Sequence, residues 1–170
     1  MANFFAHPMA GLIFPFAMAL AASMDLFTMT IPNRLSLALT AAYFALAFGF
    51  GVPIASIVSN LSCGFAVLAL AFGLFAMGWV GGGDAKLAAA TALWLGWANL
   101  LQYGLLVSLV GGAITVGFIV LRRAPLPVSL GKMPWIARLH DAKAGIPYGI
   151  ALAIGGMLIY PQSQIFTSAF

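Results

Sequence analysis

The sequence predicts an all-α integral membrane protein with about six transmembrane helices. Hydrophobic residues make up 64% of the 170-residue chain and charged residues only 6%, whereas a typical soluble domain has about 25% charged residues. The apolar character extends from Gly11 to Ile159, which is too far for a removable signal peptide. Because so few charges cannot cover a water-facing surface, lipid must be the solvent for most of the chain. We expect a single membrane domain over residues 1–170, with no soluble domain.

Six apolar stretches approach the length of about 17 to 25 residues that a spanning helix needs. The predicted spans are about Pro8–Met24, Leu35–Phe50, Ile54–Trp79, Ala85–Leu100, Leu101–Leu121 and Pro147–Ile159. The fourth and fifth spans are poorly separated, and only Gly96, Trp97 and Asn99 suggest a turn between them. The fourth and sixth are short, so tilted, interfacial or re-entrant helices remain alternatives.

The basic residues agree with six spans. With this partition every Lys and Arg falls in a loop on one side of the membrane: Arg34, Lys86, Arg122, Arg123, Lys132, Arg138 and Lys143. Five or seven spans would scatter these cations over both faces. By the positive-inside rule the charged side is cytoplasmic. We therefore expect both termini on the non-cytoplasmic side.

Several classes of function find no support in the sequence. Seven scattered cations do not form the basic patch of a nucleic-acid-binding protein. The one cysteine, Cys63, cannot form an internal disulfide or a paired-cysteine zinc site. Its predicted span holds no histidine, since the two histidines are His7 and His140, so a Cys/His or Ser/His nucleophile is not supported. We expect no metal and no cofactor.

The carboxylates are the candidate catalytic groups. There are three: Asp25 closes the first predicted span, Asp84 opens the fourth, and Asp141 lies in the long basic loop, where we expect a solvated charge. On the six-span topology Asp25 and Asp84 reach the same cytoplasmic depth. Carboxylates at the membrane are costly and by default indicate function. Two that converge can share one proton, so that one activates a water while the other polarises a carbonyl, as in aspartic proteases.

A purely structural interpretation stays open for part of this pattern. Asp84 follows Gly81-Gly82-Gly83, and an aspartate after a glycine-rich turn is a common helix N-cap. The glycines would let a backbone approach the acid closely, but an ordinary flexible turn explains them equally well. Asp25 has no capping role, because a helix C-terminus disfavours an anion.

Taken together, these residues resemble the signature of type IV prepilin peptidases, which are GxGD-type intramembrane aspartic proteases. That signature has an aspartate at the end of one span, a following Pro-Asn, and a second aspartate in Gly-x-Gly-Asp with a nearby lysine. The matching positions are Asp25, Pro32, Asn33, Gly81, Gly83, Asp84 and Lys86. The segment from Gly145 to Gly149 also resembles the C-terminal motif of that family.

The resemblance implies catalysis by Asp25 and Asp84, with a further set of residues that shape the site or bind substrate. These are Pro32, Asn33, Arg34, Gly81, Gly82, Gly83 and Lys86. The implied reaction is removal of a short basic leader from a prepilin, just before its apolar helix, at the cytoplasmic face of the bacterial inner membrane. The implied partners are the prepilin and membrane lipid, and the oligomeric state is open.

The resemblance also bears on the subtype. Larger family members carry a cytoplasmic domain with paired cysteines, and many N-methylate the new amino terminus. Since this sequence has one cysteine, it resembles the minimal CpaA/TadV type of tight-adherence (Flp) pilus systems. Methyltransferase activity is therefore in doubt.

Two rival functions remain. A presenilin-like GxGD protease would carry its aspartates on adjacent spans, with a Pro-Ala-Leu near the end, whereas here two spans intervene and that tripeptide is absent. A small transporter or channel subunit would place polar or charged groups deep within the spans. Here the acids sit at the span ends.

Overall fold

The computed structural model describes residues 11–169, and helices are the regular structure of that part of the chain. They are α1 (Ile13–Thr28), α2 (Asn33–Gly49), α3 (Ile54–Ala76), α4 (Gly82–Leu121), α5 (Val128–Gly131), α6 (Pro134–His140), α7 (Gly149–Ile159), a 3-10 turn (Tyr160–Gln162) and α8 (Gln164–Ala169). The predicted all-α fold is confirmed. The predicted start of the first span at Pro8 lies outside the described residues.

The bounds of α1 differ from the predicted span in a way that matters for the site. The helix continues past Met24 to Thr28, so Asp25 lies inside its last turn. The helix ends at Met29, which has a left-handed φ of 55° and donates its amide to the Asp25 backbone carbonyl at 2.8 Å. The amino-acid sequence does not reveal that α1 ends at Met29, because methionine rarely adopts a positive φ.

Helix α4 covers both the fourth and the fifth predicted spans and is broken at Gly96. The break has φ 69° and ψ 177°, far from helical values, and it lies among the residues where the sequence suggests a turn. Near the start of α4, Gly83 packs against Ile31, and so does Gly149, the first residue of α7. Thr115, near the other end, hydrogen-bonds Tyr148 at 3.0 Å. In a straight helix Asp84 and Thr115 would lie about 46 Å apart. Because both ends of α4 instead lie beside the start of α7, the two halves of α4 fold back along each other.

Residues of α3 hold this break. A Cβ at Gly96 would collide with the side-chain oxygen of Asn60, and Trp97 donates its indole N–H to the Ser62 hydroxyl at 2.9 Å. Further along, Gly64 lets α3 approach α4 closely, since a Cβ there would lie 3.3 Å from the Ala89 carbonyl oxygen. The turn at Gly96 is therefore fixed by tertiary contacts with α3.

Helix α7 lies between α1 and the two halves of α4. Two adjacent glycines face different neighbours: a Cβ at Gly155 would lie 2.8 Å from Val107, whereas one at Gly156 would lie 3.3 Å from both Phe14 and Thr91. Small residues allow such close helix packing within a membrane. This packing places the N-terminus of α7 beside the last turn of α1.

An aromatic cluster closes the opposite end of the bundle. Phe14 stacks on Tyr160 with ring centroids 4.6 Å apart, and Trp94 lies 5.1 Å from Phe14. The fully buried Trp94 donates its indole N–H to the Leu39 carbonyl at 3.0 Å. These contacts join α1, α2, α4 and the 3-10 turn.

The lengths of the helices bear on the membrane prediction. Within residues 11–169, Ile54–Ala76 and Gly82–Leu121 are long and apolar enough to cross a membrane, and Ile13–Thr28 and Gly149–Gln162 are shorter apolar helices. The count of six spans and the sides of the termini stay predictions.

We expect Gly96→Ala to destabilise the protein. The substitution puts a side chain into a backbone conformation that is almost restricted to glycine, at a cost of about 1–3 kcal/mol, and against Asn60. The melting temperature in detergent micelles should fall by several degrees. Gly104→Ala is the control: it is on the same helix with nothing within 4 Å of the new Cβ, so it should be neutral or stabilising. Equal melting temperatures for both variants would contradict a constrained break.

Candidate active site

Asp25 is held by the N-terminus of another helix. Its side chain is buried, with 6% of its surface exposed. Its Oδ2 accepts a hydrogen bond of 2.7 Å from the amide of Gly149, the first residue of α7. A helix N-terminus carries a partial positive charge and favours an anion. The unfavourable position of Asp25 at the end of α1 is therefore offset by α7.

Asp84 approaches from the start of α4. It is the third residue of the helix and is half-buried. Its carboxyl folds back toward Gly81, the residue that caps the helix, where a Cβ would lie 2.9 Å from the Asp84 Oδ2. Gly83, the neighbour of Asp84, packs against Ile31, and so does Gly149, whose amide binds Asp25. The two predicted catalytic residues thus lie near each other at one end of the bundle.

Ile31 lies between the start of α4, which carries Asp84, and the start of α7, which binds Asp25. A Cβ at Gly83 would lie 3.1 Å from the Ile31 Cβ and 3.3 Å from its backbone nitrogen. A Cβ at Gly149 would lie 2.9 Å from the Ile31 Cδ1. Gly83 and Gly149 therefore allow α4 and α7 to close on the buried Ile31. Sequence reasoning did not include Ile31 in the site, although it precedes the Pro-Asn pair of the motif.

The other predicted site residues occupy the rim. Pro32, Asn33 and Arg34 begin α2 and are exposed, as is Lys86. Lys86 donates from Nζ to the Asn33 Oδ1 at 2.8 Å. Because Lys86 is two residues after Asp84, the two side chains point about 200° apart around α4. The structure brings Asn33 and Lys86 together, but on a different face of α4 from Asp84.

The remaining glycines of the motif have separate contacts. A Cβ at Gly81 would lie 2.9 Å from the Asp84 Oδ2, and one at Gly82 would lie 3.3 Å from the Phe75 ring. Gly81 therefore leaves room for the Asp84 carboxyl to fold back on the helix cap. Gly82 lets the start of α4 pack under the end of α3.

A clamp formed by Arg122 ties the long loop to the end of α4. Its guanidinium donates to the carbonyls of Leu139 at 2.9 Å and Gly145 at 2.8 Å, and it lies 5.6 Å from the Phe118 ring. The planar guanidinium of arginine holds several N–H donors in a fixed arrangement, so it can bind two backbone carbonyls at once. Three residues separate Gly145 from Gly149, so this clamp restrains the chain that leads to the amide that binds Asp25. The sequence predicted only a long basic loop here.

Helix α6 packs over the end of α1. Trp135 contacts Phe27 edge-to-face with ring centroids 5.1 Å apart, and Arg138 donates to the Phe27 carbonyl at 3.4 Å. This part of the long basic loop is therefore helical, from Pro134 to His140. The third aspartate, Asp141, is exposed and accepts a hydrogen bond from the Lys143 amide at 2.9 Å, as expected of a solvated loop residue.

Comparison with known proteins identifies the family. The Peptidase_A24 model, described as the type IV leader peptidase family, matches residues 12–116. The chain belongs to this family. The matched region contains Asp25, Asp84 and the predicted residues around them.

Similar proteins from two bacteria are also named as leader peptidases. The prepilin leader peptidase/N-methyltransferases of Aeromonas salmonicida (strain A449) and Aeromonas hydrophila are each 31% identical to this chain over 156 residues. Each match covers 88% of this chain and 48% of the relative, so the chain spans about half the length of the curated relatives it matches. No solved structure matches the chain at a significant level.

We expect Gly149→Ala to impair strongly the activity that we propose for this chain, which is removal of a leader peptide. The new Cβ would lie 2.8 Å from the Asp25 Oδ2, so the carboxyl or α7 must move. A misplacement of about 1 Å can cost about a hundredfold in rate. Gly145→Ala is the control, because its new Cβ would lie 3.9 Å from the nearest atom, Met29 Cε. Rates should be measured by mass spectrometry on a purified prepilin; equal rates for both variants would refute this role of Gly149.

Proposed function

We infer that this chain is an intramembrane aspartic endopeptidase that removes the leader peptide from a prepilin, with Asp25 and Asp84 as the catalytic pair. One observation carries the proposal. The buried Asp25 and the half-buried Asp84, far apart in sequence, come to one end of the bundle, because Gly149, whose amide binds Asp25, and Gly83, the neighbour of Asp84, both pack against Ile31. Membership of the type IV leader peptidase family supports the same reaction.

The chemistry follows from a pair that shares one proton. The ionised carboxyl accepts a proton from a water molecule as the water oxygen attacks the scissile carbonyl carbon. The protonated carboxyl donates to the carbonyl oxygen, which gives a neutral gem-diol. The C–N bond then breaks as a proton passes to the leaving nitrogen. Because the Gly149 amide binds Oδ2 of Asp25, we assign the reacting role to its Oδ1.

The orientation of the site is part of the proposal. Arg122 and Lys86 lie at the end of the bundle that holds the two acids: Arg122 binds Gly145, close to Gly149, and Lys86 is one half-turn from Asp84. The positive-inside rule makes this end cytoplasmic. We propose six spans with both termini on the other side of the bacterial inner membrane, as a single membrane domain.

For the substrate, we propose a prepilin whose acidic residue after the cleavage point pairs with Lys86 or Arg34. Lys86 is exposed, and its amide partner Asn33 is neutral, so a carboxylate can join it in a charge-assisted hydrogen bond. The subtype we favour is the minimal peptidase of tight-adherence pili.

We expect Asp25→Asn and Asp84→Asn each to abolish leader removal, because the amide keeps the shape of the side chain but cannot transfer the proton. Asp141→Asn, the exposed loop variant, should cleave as wild type does. The measurement is co-expression with a Flp-type prepilin followed by mass analysis, which also reveals an added methyl group. Continued cleavage by both of the first two variants would refute the catalytic pair.

We expect Lys86→Glu to reduce cleavage of a prepilin with an acidic residue after the scissile bond, and a Lys at that substrate position to restore it. Opposite charges attract and like charges repel across this contact. Arg34→Glu with the same two substrates separates the two candidate cations. If neither single change nor the double change alters the rate of cleavage, the proposed pairing fails for that cation.

A further inference from the structure

The segment that carries the Gly149 amide is held by one face of the second half of α4. Four residues of that half recur at intervals of four, three and four, which places them on one side of a helix: Gly111, Thr115, Phe118 and Arg122. Arg122 binds the start of the segment at Gly145, whereas Gly111 and Thr115 contact its end at Tyr148. This face therefore holds the segment at both ends.

The side chain of Tyr148 is located on α4 by its shape and by a directed hydrogen bond. A Cβ at Gly111 would lie 2.8 Å from the Tyr148 Cε1, so the glycine leaves the space that the ring occupies. The Tyr148 hydroxyl lies 3.0 Å from the Thr115 Oγ1. Thr115 already donates its single hydroxyl proton to the Gly111 carbonyl at 2.7 Å. Tyr148 is therefore the donor and Thr115 the acceptor in the bond between them.

The peptide bond between Tyr148 and Gly149 links this side chain to Asp25. The carbonyl and the N–H of a trans peptide lie in one rigid plane and point in opposite directions. The carbonyl, on Tyr148, accepts from the Leu152 amide at 3.1 Å, and the N–H, on Gly149, donates to the Asp25 Oδ2 at 2.7 Å. A tilt of this plane would move the donor relative to the carboxyl. Because Tyr148 carries one end of the plane, the anchoring of its ring and hydroxyl on α4 limits that tilt.

We propose that Tyr148 is a positioning residue: by donating to Thr115 it fixes the Gly149 amide, and through that amide the Asp25 carboxyl. This assignment rests on the proposed function and adds a residue that acts without touching the substrate. The region that matches the family model ends at residue 116, so Tyr148 lies beyond it.

Tyr148→Phe tests the role of the hydroxyl, because it keeps the ring on Gly111 and removes only the donor. We expect kcat for removal of a prepilin leader to fall by about twofold to tenfold, the loss typical of one hydrogen bond, with KM unchanged. Thr115→Val should give the same loss, whereas Thr115→Ser keeps an acceptor and should cleave as wild type does. Because both substitutions remove one and the same bond, the Tyr148→Phe/Thr115→Val double variant should be no slower than either single variant.

Ser108→Ala is the matched control. It removes a hydroxyl from the same half of α4, and that hydroxyl donates to the Gly104 carbonyl one turn earlier, at 2.8 Å. This is the bond that Thr115 makes to Gly111, without a tyrosine as a further partner. We expect kcat and KM of Ser108→Ala to equal those of the wild type.

Hydrogen exchange of the Gly149 amide gives a second test, which needs no substrate. It is measured by NMR on the full chain in detergent micelles. We expect exchange of this amide to become about twofold to tenfold faster in Tyr148→Phe and in Thr115→Val, because the bond that limits its opening is lost. Ser108→Ala should leave it unchanged. Equal melting temperatures for the three variants verify that the fold is kept, so that a faster exchange reports on Gly149 and not on global unfolding.

Two results would overturn the proposal. One is a wild-type kcat together with wild-type exchange of the Gly149 amide in Tyr148→Phe. The other is a raised KM with an unchanged kcat, since this would place Tyr148 in contact with the substrate. If the wild type does not cleave prepilin at all, the proposed function has failed instead, and the exchange of the Gly149 amide still decides whether Tyr148 fixes it.

Discussion

The hydrogen bond from the Gly149 amide to the Asp25 carboxyl sets the geometry of the whole site. It joins the last turn of α1 to the first residue of α7 at 2.7 Å, and this distance holds only because Gly149 has no side chain. The partial positive charge at the start of α7 then stabilises a buried carboxylate that the end of α1 alone would disfavour. Arg122 restrains the segment before α7 by binding the Gly145 carbonyl, so the long loop contributes to the site without supplying a catalytic group.

Around this hydrogen bond, other glycines also allow neighbouring helices to pack closely. Gly83 lets the start of α4 reach Ile31, and Gly156 lets α7 pack on α1 and on the first half of α4. Between lipid-facing helices the hydrophobic effect supplies little attraction, so packing at short range must hold the bundle together. Small residues also border a groove beside Lys86, between α2 and α3, namely Gly64, Ala89 and Ala90.

Much of the fold could be predicted from composition and pattern. The apolar runs correctly gave the helices, and the weak turn signal at Gly96 marked the break in α4. The end of α1 was placed too early, since the left-handed Met29 is not a typical stop. Ile31, Gly149 and Arg122 were missed as parts of the site, because their roles arise from contacts between distant segments that neither periodicity nor residue type reveals.

The sequence by itself determined that the protein is helical and apolar, that its acids lie at helix ends, and that it belongs with the type IV leader peptidases. These properties follow from residue types and short spacings, which act locally. Only the tertiary structure decided that Asp25 faces the amide of α7, that Lys86 lines a groove away from Asp84, and that α4 folds back on itself. Those outcomes depend on which helix surfaces pack at close range, and packing is a property of all the helices together.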